Sequence, residues 1–282
     1  MKFAVIGGDM RQAKLAEILA EEGHEVSAFA LDKISLSGVR QAATAEACVK
    51  DADCIILPLP VLSKNRALNT PLSEKVHTVK EVLLPVSGSP VVCAGRVDEE
   101  TAETAGELGI DLIDYFDREE LTVSNASITA EGAVQIIMEE LPAAVNELKV
   151  LVIGYGRIGK LLAHKLRGLG ADVAVAARKC ADIAWIRAYG YRPELTYALE
   201  GRLGEYGAII NTVPRRILDD KLLKEVKPGC FCLELASKPG GMDFAAAAQL
   251  GLKAMWALGL PGEVAPLSAG RSIRDTIFNI LE

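Results

Sequence analysis

The chain has 282 residues, a formal net charge of −7, half of its residues hydrophobic and only 5% aromatic. That length suits about two domains of ~100–200 residues each, and the aliphatic bias suits parallel strands covered by helices. An acidic balance excludes nucleic acid and an anionic membrane as main partners, because neither attracts such a surface, and no apolar stretch approaches the ~20 residues of a membrane helix.

Phe3-Ala4-Val5-Ile6 reads as a strand close behind Met1, with no basic region, long apolar core or cleavage site before it, so no secretory signal is expected. The cysteines stand at 48, 54, 93, 180, 230 and 232; Cys230 and Cys232 are the only close pair, and no second pair or nearby His completes a zinc set. Reduced core thiols, no metal and a cytoplasmic setting follow as expectations. In chain order, helical spacing through Leu15, Ala16 and Leu19 follows the first strand, and Val26 marks the second. Further strands are expected at 53–57, 90–94 and 110–115. Residues 129–145 have helical spacing (Val134, Ile137, Met138, Leu141) with Thr129 as N-cap.

From there the pattern repeats. Phe3–Gly7 falls on Val150–Gly154 at an offset of 147, as do Leu15 on Leu162, Gly23 on Gly170 and Val26 on Val173. Residues 53–60 lie over 207–214 at an offset of 154. Strands near 230–235 and 252–257 complete the second half, and residues 268–281 read as a last helix with Ile273, Ile277, Ile280 and Leu281 on one face. Each half is strand–helix–strand followed by a buried strand that ends in a proline loop. The expected fold is α/β, two doubly wound domains with a cleft between them. The first should span 1–126, with the terminal helix 268–282 returning to it; the second should span 127–267, including the linking helix.

Gly154-Tyr155-Gly156-Arg157-Ile158-Gly159 follows a buried strand and opens an amphipathic helix. That context makes G-x-G-x-x-G a Rossmann dinucleotide fingerprint. The first glycine turns the chain, the second lets backbone approach a pyrophosphate, and the third lets the helix sit on the strand. The helix N-terminus then faces the phosphates; the alternative is a strand–turn–helix with glycines for packing alone. An NAD site usually has a carboxylate at the end of the second strand. Here Ala176-Ala177-Arg178-Lys179 has two cations instead, which suit the 2′-phosphate of NADP, unless Arg178 is a solvated strand-end residue. Asn211-Thr212-Val213-Pro214 follows the fourth strand, where Asn211 and Thr212 are expected to bond the nicotinamide ribose. Ala236 and Ser237 are expected beside it, with Lys238 as the polar group nearest the nicotinamide, binding a carboxylate, relaying a proton or serving as a loop cation.

The first half keeps Gly7 but has Asp9 and Gln12 where the second has Gly156 and Gly159. Asp9 would repel a pyrophosphate, so this half is expected to hold substrate through Arg11, Ser63 beside Pro58-Leu59-Pro60, and Arg96 in Cys93-Ala94-Gly95-Arg96. No histidine follows His164, so the His–Glu pair of a hydroxyacid dehydrogenase has no candidate there.

Further stretches stand out: Val5-Ile6-Gly7-Gly8-Asp9 with Arg11-Gln12, Ile55-Ile56-Leu57-Pro58, the glycine loop, Ala177-Arg178 and Asn211-Thr212-x-Pro214. More specific are Leu235-Ala236-Ser237-x-Pro239-Gly240-Gly241-x-Asp243-Phe244 and Gly259-Leu260-Pro261-Gly262-x-Val264-Ala265-Pro266 with Ala269-Gly270. Together these stretches resemble the family of the dipicolinate synthase A-subunit. Lys179, Glu234 and Ser268 depart from it, standing where a small hydroxyl residue, Asp and Thr are expected. The resemblance implies oxidation of a dihydrodipicolinate-type ring to dipicolinate, with NADP+ as hydride acceptor and the flavoprotein-like B-subunit of dipicolinate synthase as partner, in the mother cell of a sporulating bacterium. A small dicarboxylate substrate needs cations, for which Arg11, Arg96 and Lys238 are the candidates. A homo-oligomer is also expected. Two other readings stay open: another NAD(P)-dependent imino- or keto-acid reductase or hydroxyacid-type dehydrogenase, and a cofactor-binding subunit whose catalysis lies in its partner.

Overall fold

The computed structural model describes all 282 residues. They form two compact units, 1–125 with 261–282, and 126–260. In the first, β1 (Lys2–Ile6), α1 (Met10–Glu21), β2 (Glu25–Phe29), β3 (Arg40–Gln41), α2 (Ala45–Val49), β4 (Cys54–Ile56), α3 (Val79–Leu83), β5 (Val91–Ala94), α4 (Glu99–Glu107) and β6 (Leu112–Asp114) alternate. Next comes α5 (Glu119–Glu140), within which the division between units falls. The second unit continues with β7 (Lys149–Ile153), α6 (Arg157–Gly168), β8 (Asp172–Ala177), α7 (Cys180–Ala188), β9 (Arg192–Leu195), β10 (Ala208–Asn211), α8 (Asp220–Leu223), β11 (Phe231–Glu234), α9 (Phe244–Gln249) and β12 (Lys253–Trp256). The chain ends with α10 (Leu260–Val264) and α11 (Pro266–Leu281).

Each sheet has six strands, in the order β3-β2-β1-β4-β5-β6 and β9-β8-β7-β10-β11-β12, and the pairs on either side of β1 and β7 are parallel. This is the doubly wound order, with a switch point beside β1 and beside β7. Strands buried on both faces read as unbroken apolar runs, and β1 and β7 are buried from their second residue onward. The repeat survives to the level of single hydrogen bonds. Phe3 pairs with Val26 and Val150 with Val173; the Gly7 amide donates to Phe29 O and the Gly154 amide to Ala176 O, both at 2.8 Å.

Within the first unit α11 lies on α1. A Cβ at Gly270 would come within 3.0 Å of Arg11 O and Leu15 N, so the close approach needs glycine there. Ile273 and Ile277 complete the core around Phe3, Leu15 and Leu19.

The linking helix differs from its expected bounds. It begins ten residues earlier, at Glu119 with Glu119 and Glu120 in its first turn, where acidic side chains suit the helix dipole. Thr129 is therefore a buried residue of its interior, not its N-cap. The helix stops at Glu140, not 145, because Pro142 disfavours helical backbone at Leu141.

Candidate functional site

The glycine loop of the second unit is shaped by close approaches. Gly154 has φ +105°, and a Cβ on it would lie 2.3 Å from Thr212 Oγ1; one on Gly159 would lie 2.1 Å from Gly154 O. Gly156 is the opposite case: a Cβ there meets nothing within 4 Å, so the loop is open on that side. Gly156 is also the N-cap of the 12-residue α6 and makes no side-chain capping bond. First-turn N–H groups with no cap, a glycine open to approach and a positive helix end are what a pyrophosphate requires. Arg157 is exposed and Ile158 half-buried at the start of this helix. Gly159→Ala is expected to weaken dinucleotide binding at least about tenfold, since a Cβ 2.1 Å from Gly154 O forces the loop off its path. Titration with NADPH fluorescence measures this, and unchanged affinity would remove the loop from the site.

At the end of β8, Arg178 and Lys179 are both exposed, and neither side chain has a hydrogen bond or ion pair. No carboxylate neutralises them locally, so the residues fit a 2′-phosphate better than a bare ribose hydroxyl.

The loop after β10 is held by its own side chains. Asn211 is fully buried, and its amide donates to Val213 O at 2.9 Å and to both Glu234 oxygens at 2.7 and 2.9 Å. Its Oδ1 accepts from Val213 N, and the Thr212 hydroxyl donates to Ile153 O at 2.9 Å. The Asn211 side chain is thus bonded inside the protein, and the half-buried Thr212 hydroxyl, which donates to Ile153 O, keeps its capacity to accept. They shape the loop that carries Val213, half-buried, and Pro214, exposed.

Glu234, which sequence reasoning treated only as a departure from a family pattern, is the centre of this region. It is fully buried at the end of β11. Beyond Asn211 it accepts from Ala236 N at 3.0 Å, Gly241 N at 2.9 Å and Met242 N at 3.0 Å. Burial pushes its carboxyl above the ordinary range, while the bonds from Gly241, Asn211, Ala236 and Met242 pull it back. One side chain thus ties the loop after β10 to the loop after β11. Gly241 is part of the same knot, for a Cβ there would lie 2.4 Å from Asn211 Nδ2. The signal was present: a carboxylate in the run Phe231-Cys232-Leu233-Glu234-Leu235 has to be buried and bonded. In the same loop Ala236 is buried, with its carbonyl accepting from Trp256 Nε1 at 2.9 Å. Ser237 is half-buried, and Lys238 is exposed with no partner.

In the first unit the equivalent loop is not a phosphate cradle. Asp9 caps α1 through Arg11 N and forms a two-pronged pair with the Arg11 guanidinium, Nε to Oδ1 at 2.9 Å and Nη2 to Oδ2 at 2.8 Å. Arg11 is buried and also donates from Nη2 to Leu59 O at 2.6 Å, so most of its donor capacity is used within the protein. Gln12, in the place of Gly159, is fully buried and donates to Tyr115 OH at 3.1 Å, and that hydroxyl donates to Leu57 O at 2.9 Å. Gly262 lies against the Asp9–Arg11 pair; a Cβ on it would come within 2.9 Å of Asp9 Oδ2. Arg96 follows β5, is exposed with φ +56°, and is anchored by its amide on Asp114 Oδ1. Ser63 is half-buried, its amide bonded to Ala67 O.

Against this geometry stand the similarities to known proteins. The family model for the N-terminal domain of the dipicolinate synthase A-subunit matches residues 2–116. The dipicolinate synthase A-subunit of Bacillus subtilis is 31% identical over 284 residues, covering 100% of this chain and 96% of the relative. The chain belongs to the dipicolinate synthase A-subunit family. The crystal structure of the A-subunit from Bacillus halodurans aligns with a TM-score of 0.88 at 29% identity, over 99% of this chain and 97% of that one. The fold extends further: a transhydrogenase from Sinorhizobium meliloti aligns with a TM-score of 0.70 at 17% identity, over 95% of this chain and 87% of that one. The two stretches that most specifically resembled the dipicolinate synthase family thus have visible structural work, around Glu234 and around Asp9–Arg11. No helix is long and apolar enough to cross a membrane.

Proposed function

We propose that this protein is the NADP+-dependent oxidoreductase component of a dipicolinate synthase, acting with a B-subunit partner and with itself as a homo-oligomer in the cytoplasm of a sporulating mother cell. The observation that carries the reading is the full-length relation to a protein named as the A-subunit of dipicolinate synthase. The open glycine loop and the unpaired Arg178 and Lys179 support the choice of cofactor.

Bound NADP+ would supply the hydride acceptor. The reaction removes a hydride and a proton from a dihydrodipicolinate ring and leaves the aromatic dicarboxylate; aromatisation supplies driving force. Gly154, Gly156 and Gly159 would hold the pyrophosphate, with the α6 amides at Arg157 and Ile158 facing it. Arg178 and Lys179 would hold the 2′-phosphate. Glu234 keeps the 211–214 and 236–242 loops in place. Lys238, exposed and unpaired, is the candidate for relaying the departing proton or binding a carboxylate. In the first unit Arg96 and the remaining Nη1 of Arg11 would take carboxylates, with Ser63 as a hydrogen-bonding neighbour.

The test mixes purified protein, with and without the B-subunit, with freshly made dihydrodipicolinate and NADP+. Dipicolinate absorbance should grow together with NADPH. No product under either condition overturns the proposal. Product only with the partner present, and no single-turnover reduction of NADP+ without it, assigns catalysis to the complex.

A further inference from the structure

We propose that the first unit carries a ligand site of its own, for a neutral ribonucleoside, in the cavity at the carboxyl ends of β2 and β3. The cavity measures about 910 Å³, near the upper end of what small-molecule sites occupy. Doubly wound sheets bind ligands outside the carboxyl ends of their strands, and the residue just past the second strand reads the ribose. In the second unit that residue class is Arg178 and Lys179. The internal repeat places Asp32 on Lys179 at the shared offset of 147, and the matched Gly7–Phe29 and Gly154–Ala176 hydrogen bonds hold the two repeats in that register. Where one repeat offers cations to a 2′-phosphate, the other offers a carboxylate, which suits unmodified vicinal hydroxyls.

Asp32 is a prepared acceptor. Glu74 N donates to its Oδ2 at 3.0 Å, and this bond, with the nearby Ser73 hydroxyl, holds the carboxyl below the ordinary range, so it is ionised at neutral pH. Ser73 is set in turn by buried His77, whose Nε2 lies 3.4 Å from the hydroxyl and whose Nδ1 lies 2.9 Å from Glu81 Oε1. Phe29 meets the His77 ring edge-on at 4.8 Å, and alanines of 42–45 with Leu84 and Pro85 give apolar walls for a base. Asp32, Glu46 and Glu81 outnumber Lys75 in the lining, which disfavours an anion. The adjoining phosphate position is closed as well: Asp9 stands where Gly156 stands, and Gln12 side-chain atoms lie 2.6 Å from where a Gly8 Cβ would be. The ligand is therefore a nucleoside and not a nucleotide.

Calorimetry on the full chain saturated with NADP+ tests this with adenosine. One adenosine per chain is expected to bind, with 2′-deoxyadenosine and AMP each at least about tenfold weaker, because a carboxylate built for a diol rejects the ligand that lacks it or brings charge. Asp32→Asn should cost adenosine at least about tenfold while NADP+ affinity stays unchanged, which also reports that the fold is intact. The proposal falls if millimolar adenosine gives no binding, if deoxyadenosine binds equally, or if adenosine affinity is lost in Arg178→Glu and kept in Asp32→Asn.

Discussion

Arg178→Glu is expected to raise the Kd for NADP+ about a hundredfold and leave the Kd for NAD+ unchanged or lower. The guanidinium would give the 2′-phosphate a charge-assisted, two-pronged bond, and such bonds contribute about 1.5–3 kcal/mol, equivalent to roughly ten- to a hundredfold in affinity. The new carboxylate adds repulsion against the phosphate but can accept from a free ribose hydroxyl, as NAD-binding folds do. Because Arg178 is exposed and has no partner, nothing in the fold depends on it, and the melting temperature should hold. Lys179→Ala should show the same direction with a smaller loss, since a flexible ammonium on a loop lacks the planar fork. Paired titrations with NADPH and NADH decide the matter; equal loss for both cofactors would take Arg178 out of the 2′-phosphate role.

The second large effect is on stability. Glu234→Gln keeps the size of the side chain but turns one acceptor oxygen into a donor facing donors. Depending on which way the amide settles, it opposes Ala236 N or the pair Gly241 N and Met242 N, and in both cases Asn211 Nδ2 loses a partner. An unsatisfied buried N–H costs about 1–3 kcal/mol. Removing a buried charge returns part of that, so the net loss is about 2 kcal/mol, or a fall of about 4–8 °C in Tm for a domain of this size. Thermal melts at neutral pH measure the effect, and a variant as stable as wild type there would contradict the role given to Glu234. Turnover should fall as well, with kcat affected more than KM, because the substitution loosens the loops without removing a ligand contact.

The repeat was legible because it is periodic. Strand β1 and β7, the helices after them and β4 and β10 could be aligned by eye, and the structure keeps the same pairings in both sheets. The glycine loop was legible because Gly154 and Gly159 answer local steric demands and Gly156 completes the spacing between a buried strand and a helix. The linking helix was misplaced because residues 119–128 bury few large apolar groups at helical spacing, while the acidic first turn and Pro142 set the ends. Asn211 and Thr212 were read as ligand-facing since they follow a buried strand at the ligand-binding edge. That position is right for a site residue and equally right for a residue that builds the loop.

By itself, then, the sequence determined the two doubly wound halves, the single open glycine loop, the cations past β8 and the family. All of these are carried by spacing along the chain or by one residue's own steric and charge properties. Only the tertiary structure decided where the polar side chains spend their hydrogen bonds. Asn211 turns inward to Glu234, 23 residues away, and Arg11 turns inward to Asp9 and to Leu59, 48 residues away. The reason is physical: a buried polar group must be satisfied by whatever the fold brings beside it, and that neighbour is not encoded in local pattern.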